Sequence, residues 1–277
     1  MFASGYLPIE NGRVHFVTGP PSGPPLLLLH GVTRNWRDWS LLLPTLAARR
    51  QLFASDFRGH GQSDRFSDRY RVADYVGDAR TLLQHIGKEN VVVYGHSLGA
   101  MVAYALAAEA NVEAVILEDP PFRTMGENIG QTTFHALFQG MQTLLQRTRD
   151  VAELTRGLSE IIMAGSTKLG EIRDKASLRF SAKGLSQLDA GVLTPILSGQ
   201  WLTGYDWQSM AKNIRCPVLL LQADTRMGGV LADEEADWLE QSLAECYRIR
   251  FPKVGHLIHN TEPAETLKIV TNFLESL

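Results

Sequence analysis

The stretch Val91-Val-Val-Tyr94-Gly95-His96-Ser97-Leu98-Gly99 constrains this chain more than any other. It is a G-x-S-x-G sequence set between an apolar run and an alanine-rich segment, Ser97–Ala110, that is apolar almost all round. An apolar run of this length is a strand buried on both faces, and the alanine-rich segment is a buried helix. Between them the chain must turn sharply. A Cβ at Gly95 or Gly99 would then collide with the neighbouring strand and helix, and Ser97 stands at the apex with strained backbone angles. The helix that follows aims its free N–H groups and positive dipole end at the serine hydroxyl.

The flanking pattern repeats this unit. Tyr6–Ile9 and Arg13–Thr18 flank Asn11-Gly12 and read as a hairpin. Leu26–Leu29, Leu52–Ser55, Val91–Tyr94, Ala114–Leu117, Val218–Leu221 and Tyr247–Phe251 read as further strands. Helical patterns lie at Trp36–Ala48, Val72–Ile86 (ending at Gly87), Asp233–Leu243 and Pro263–Leu277, the last with Leu267, Val270, Leu274 and Leu277 in register. Alternating strands and helices predict an α/β fold: a mostly parallel sheet of eight strands flanked by helices. The alternation breaks from about Pro121 to Thr203, where helical stripes such as Phe134, Leu137, Phe138, Met141 and Leu145 occur without a strong strand. A helical insertion at that point sits over the carboxyl edge of the sheet, where such sheets bind ligands.

Composition narrows the function classes. With 27 basic and 30 acidic residues the chain carries −3, so no global field favours nucleic acid or an anionic membrane. Its longest purely aliphatic run is Leu26–Leu29, far short of a span, and MFASGYLPIENG lacks the basic-then-apolar order of a signal peptide. Two cysteines, Cys216 and Cys246, make no disulfide scaffold; a cytoplasmic location is the expectation.

A serine hydroxyl needs a base. Of eight histidines, His256, in Val254-Gly255-His256 just after the last strand, is the prime candidate, with His259 behind it. The H-x-x-H pair lacks the glutamate of a zinc protease, so no metal is expected. The imidazole needs an acid, and two aspartates end strands at the right edge: Asp119, in Glu118-Asp119-Pro120, and Asp224, in Ala223-Asp224-Thr225-Arg226. Glu118 faces the opposite side if the strand persists. Oxyanion donors are expected from the N–H groups of Leu98, after the nucleophile, and Val32, in the loop His30-Gly31-Val32. Arg34 offers a cation for a substrate carboxylate, as do Arg123 and Arg226. Trp36, His96 and Phe138 complete the candidate substrate-contacting set, while Trp39 reads as packing.

Taken in order, His30-Gly31, the Asp56–Ser63 loop, the Gly95–Gly99 elbow and Gly255-His256 resemble the α/β-hydrolase fold superfamily over nearly the whole chain. The resemblance implies that residues 1–120 and 204–277 form the hydrolase core and 121–203 a helical cap. The usual acid of that family follows the seventh strand, where this chain has Arg226. In some members it follows the sixth, the place of Asp119, as in a branch of ester, lactone and amide hydrolases that includes an acetamidomethylene-succinate hydrolase. The resemblance thus implies a carboxylesterase-like serine hydrolase with the triad Ser97, His256 and Asp119, a small-molecule acyl substrate, and no metal or organic cofactor. Serine at 97 excludes the usual epoxide-hydrolase and haloalkane-dehalogenase routes, which need an aspartate nucleophile. Carbon–carbon bond hydrolase, cofactor-free haloperoxidase, and ligand receptor on an intact hydrolase scaffold remain as alternative readings, and oligomeric state is not readable.

Overall fold

The computed structural model describes residues 2–87, 89–110, 112–126 and 129–277. Eight strands form one sheet: β1 (Ala3–Ile9), β2 (Gly12–Thr18), β3 (Pro25–Leu29), β4 (Gln51–Ser55), β5 (Val92–His96), β6 (Ala114–Glu118), β7 (Val218–Ala223) and β8 (Cys246–Phe251). Their order is β1-β2-β4-β3-β5-β6-β7-β8. The β1–β2 hairpin turns at Asn11, which takes a positive φ of 64°. β2 pairs antiparallel with β4, and every later pairing is parallel. The sequence-predicted sheet is therefore the one observed.

Alternation along the strands feeds two cores. Leu27, Leu29, Val93, Val115 and Leu117 enter the larger apolar cluster on one face, and Leu26, Leu28, Val92, Tyr94 and Ile116 enter the other. All four β3 leucines are fully buried, each contributing about 1.5–3 kcal/mol by removal from water. Two helices matter to the site. α1 (Val72–Ile86) ends at Gly87, whose φ of 59° suits a residue without Cβ. α2 (Leu98–Glu109) starts immediately after Ser97 and is buried on nearly every side.

Parallel register brings the strand ends to one edge. Leu29 pairs with Ser55 and Gly95, His96 with Glu118, and Glu118 with Leu221. The insertion straddles this edge. Its main helices are α3 (Thr133–Leu145), α4 (Val151–Ser159) and α5 (Lys175–Ser186). Phe138, Leu154 and Leu185 from them join the same apolar cluster as Leu29 and Leu117 of the sheet. α5 lies directly on the loop after β3: a Cβ on Gly184 would stand 3.0 Å from Thr33 O. A second tie joins the loop after β4, where Asp189 donates its N–H to Gly59 O (2.7 Å) and accepts from Tyr70 Oη (2.7 Å).

Three local expectations are corrected. Trp36–Ala48 is not one helix but a 3-10 segment, Trp36–Leu41, and a short helix, Leu43–Ala47. Pro44 lacks an N–H and would crowd the carbonyl four residues back, so the helix restarts there. The insertion also contains a small hairpin, Ile162–Ala164 with Thr167–Lys168, turning at Gly165 (φ 58°), too short for periodicity to reveal. At the C-terminus, α6 (Pro263–Ser276) buries Val270 and Leu274 of the expected stripe together with Thr266 and Phe273, while Leu277 is exposed. Among the described residues no helix is long and apolar enough to cross a membrane.

Candidate active site

Ser97 occupies the elbow between β5 and α2 with φ 55° and ψ −116°, a conformation L-residues rarely adopt. Two glycines permit it. A Cβ on Gly95 would lie 2.0 Å from Gly99 O, and one on Gly99 would lie 1.9 Å from Leu29 O. The Ser97 N–H is tied to Glu118 O on the neighbouring strand (2.9 Å), so the strain is held from both sides.

The next strand end supplies the acid. Asp119 also takes a positive φ, 46°, which aspartate tolerates better than most residues. Its fully buried carboxylate accepts from His256 Nδ1 at 2.7 Å. Three backbone N–H groups complete its shell: Val230 (2.9 Å), Leu231 (3.2 Å) and Ala223 (3.4 Å). A carboxylate only accepts, so Nδ1 of His256 carries a proton, which in the neutral imidazole leaves the lone pair on Nε2. The expected hydrogen bond between Ser97 Oγ and His256 Nε2 is not formed among the described residues. Such contacts are commonly loose before substrate binds.

Asp224 is differently employed. Its carboxylate accepts from Arg226 Nε (3.0 Å) and Nη2 (2.8 Å), and from the backbone N–H groups of Arg226 and Lys253. Those contacts, led by the Arg226 side chain, hold its carboxyl well below the usual carboxylate range. The arginine standing where the usual acid would be therefore serves a loop carboxylate, and Asp119, not Asp224, meets the imidazole.

The loop after β3 is shaped by other groups. Thr33, at φ 68°, donates its N–H to His60 Nε2 (3.3 Å), and Arg34 donates its own to Gly31 O (3.2 Å). His30 accepts from Phe57 N–H through Nε2 (3.0 Å), bracing loop against loop. The Val32 N–H has no acceptor among the described residues. Leu98 opens α2, so its N–H has no acceptor within the helix. Both N–H groups thus keep the capacity that an oxyanion requires.

The four side chains expected to touch substrate are engaged with protein. Arg34 meets Asp38 (3.2 Å) and Ser181 of α5 (3.4 Å). Trp36 packs beside Phe2 and under the Arg37 guanidinium. His96 is buried beneath the elbow, and Phe138 is buried in the larger apolar cluster shared with the sheet. Phe134, one helical turn earlier than Phe138, is the aromatic that faces His256, edge to face at 5.6 Å.

Beneath the elbow lies an assembly that sequence reasoning missed. Glu118 accepts from His259 Nδ1 (2.7 Å), His259 N–H (3.1 Å) and Tyr94 Oη (2.6 Å). His259 Nε2 stands 3.5 Å from Asp38 and 2.7 Å from the Asn260 side-chain amide, and Trp39 stacks on the ring. Burial alone would lower the basicity of His259, but the Glu118 and Asp38 carboxylates outweigh it and push it up to about 10. Glu118 is driven the other way: burial would raise it, yet His259 draws it down to about 2. His96 keeps the direction that burial dictates, down to about 3, and so is neutral. Two signals in the sequence point to this layer. The Glu118-Asp119 doublet ends a strand whose alternation sends the two acids to opposite faces, and His256 and His259 supply one histidine for each.

Comparison with known proteins agrees with this architecture. The α/β hydrolase fold family model matches residues 24–263, and the chain belongs to that family. The chain is 26% identical to 2-(acetamidomethylene)succinate hydrolase of Mesorhizobium japonicum, covering 97% of this chain and 94% of that protein. It is 37% identical to a soluble epoxide hydrolase of Corynebacterium sp., but over only 36% of this chain and 34% of that protein. Among solved structures, an E-2-(acetamidomethylene)succinate hydrolase superposes with a TM-score of 0.80 at 21% identity, covering 99% of this chain and 100% of that one. The enol-lactonase of Burkholderia xenovorans LB400 does so at 0.77 and 16%, covering 98% and 100%. The chain is thus similar to hydrolases of varied substrates.

Proposed function

We propose that this chain is a serine hydrolase that cleaves a carboxylic ester or a related acyl bond through an acyl-enzyme on Ser97. The observation that carries the reading is the Asp119–His256 pair at 2.7 Å at the same sheet edge as a serine held at φ 55°. In this reading Ser97 Oγ attacks a carbonyl carbon while His256 Nε2 takes its proton. Asp119 keeps the proton of His256 on Nδ1 and stabilises the imidazolium that forms. The Val32 and Leu98 N–H groups receive the developing oxyanion. His256 then protonates the leaving group, water enters, and His256 as base drives release of the acid. The insertion acts as a cap over the serine, with Phe134 walling the imidazole. The relatives support an acyl substrate by their names, which denote hydrolysis of an acetamidomethylene succinate and of an enol-lactone.

Labelling with a fluorophosphonate followed by peptide mass spectrometry tests this directly. We expect a single adduct on Ser97, and a Ser97→Ala variant that is folded, unlabelled and inactive on p-nitrophenyl esters. A Ser97→Ala protein that retains more than a few per cent of the rate, purified free of contaminating esterase, overturns the assignment.

A further inference from the structure

The His96 side chain meets both the segment of the proposed base and the loop of the proposed oxyanion donors. It precedes Ser97 in the chain. Its Nε2 lies 3.0 Å from the carbonyl oxygen of His256, and its ring centroid lies 4.7 Å from that of His256. Its other edge fills the space that Gly31 leaves open: a Cβ on Gly31 would stand 2.8 Å from His96 Nδ1. Edge to face, it also meets His259 at 5.1 Å.

The hydrogen-bond roles follow from the partners. A carbonyl only accepts, so His96 Nε2 donates the proton and Nδ1 is a bare lone pair in the neutral ring. Nδ1 has no hydrogen-bond partner, and neither has the nearest carboxylate oxygen, Asp38 Oδ2, at 3.8 Å. That oxygen faces His259 Nε2 at 3.5 Å instead, so Asp38 makes no claim on the His96 ring. The charges around it are already matched. Arg34 pairs with Asp38, and His259 pairs with Glu118. His96 is therefore not needed as a counter-ion, and its one polar commitment is to the backbone of the base.

We infer that His96 is a positioning residue, which by donating to the His256 carbonyl sets the height of the His256 imidazole over Ser97 while its ring spaces the oxyanion loop at Gly31. The inference rests on the serine-hydrolase reading of the same site. A base held from one side only, through Nδ1 to Asp119, is free to pivot about that bond. The His96 contact removes the pivot by fixing the peptide to which the imidazole is attached.

Three variants separate this role from simple packing. His96→Gln keeps a donor near the Nε2 position, His96→Asn offers one too short to reach, and His96→Phe keeps the ring without a donor. With p-nitrophenyl acetate we expect His96→Phe and His96→Asn to lower kcat about 10- to 100-fold with KM within about twofold, the scale of a misplaced reacting group. His96→Gln should recover most of that loss. The second-order rate of fluorophosphonate labelling at Ser97 should fall and recover in the same order. The inference is overturned if His96→Asn, folded by circular dichroism, keeps wild-type kcat, or if His96→Gln falls as far as His96→Asn. Either comparison stands even where His96→Phe does not fold. Wild-type protein that the fluorophosphonate leaves unlabelled at Ser97 instead fails the serine-hydrolase reading itself.

Discussion

Two carboxylate–histidine pairs leave the same strand end, one residue apart, and serve different ends. Asp119–His256 and Glu118–His259 have the same 2.7 Å separation. The first is open on one side: His256 is 12% exposed, its Nε2 has no partner among the described residues, and Phe134 of the insertion faces its ring. The second is closed: both side chains are 0% exposed, and Tyr94, Asp38, Asn260 and Trp39 surround them. Distance alone therefore does not mark a reactive pair. A reactive histidine needs one nitrogen fixed and the other free, whereas His259, with the Glu118 carboxylate at one nitrogen and Asp38 at the other, is held as a cation and works as a cross-link.

The comparison is broken most severely at its open member. Asp119→Asn is expected to lower kcat by about 10⁴-fold through loss of tautomer control and imidazolium stabilisation, read by esterase kinetics on folded protein. At the closed member the loss falls on stability instead. Glu118→Gln leaves the His259 cation without its principal partner and should cost about 3–5 kcal/mol in urea unfolding, with kcat of the folded protein falling far less than in Asp119→Asn.

Titration sharpens the contrast further. His96 and His60 are both lowered from 6.5 to about 3, chiefly by burial, so the unfolded chain binds more protons between those values. The stability they confer is fully present above pH 6.5 and is lost as pH falls toward 3. His259, raised to about 10, acts oppositely: its contribution is complete below pH 6.5 and is lost as pH rises through 10. Melting temperature measured from pH 4 to pH 10 should decline on both sides, and His259→Gln should flatten the alkaline decline. The smallest effect is expected at the third strand-end acid. Asp224→Asn, which disturbs only the Arg226 and Lys253 contacts, should leave kcat within about twofold, because no reacting group touches it.

Most of the sheet was legible because buried parallel strands are short aliphatic runs, and Leu26–Leu29 or Val218–Leu221 admit few other readings. The elbow was legible because steric need and chemistry coincide in five residues. The choice between Asp119 and Asp224 was not settled by the residues alone. Both end strands at the same edge, and only the course of the loop after β7 decides which carboxylate faces the imidazole. The lower layer was least legible. Its bonds join residues 141 apart in the chain, as in His259 to Glu118, and polar residues committed to a buried cross-link carry the same letters as solvated ones. That Phe134, one turn from the Phe138 named as a substrate contact, faces His256 reflects the same limit: a stripe marks a helix's buried face but not which turn of it meets which neighbour.

The shell around Asp119 has a consequence for how changes in this protein are to be read. The residue just after β6 carries the carboxylate, but the main chain of the stretch from Ala223 to Leu231 receives it, through three N–H groups that belong to no particular side chain. Within that stretch Met227 is 57% exposed and the turn at Gly228 has an open surface. By letter it looks like an expendable connector, tolerant of almost any substitution. By backbone it is part of the acid's socket. On the proposed mechanism, an insertion or deletion there is expected to abolish activity while every residue of the proposed triad stays in place, a dependence that a scan swapping side chains one at a time would miss.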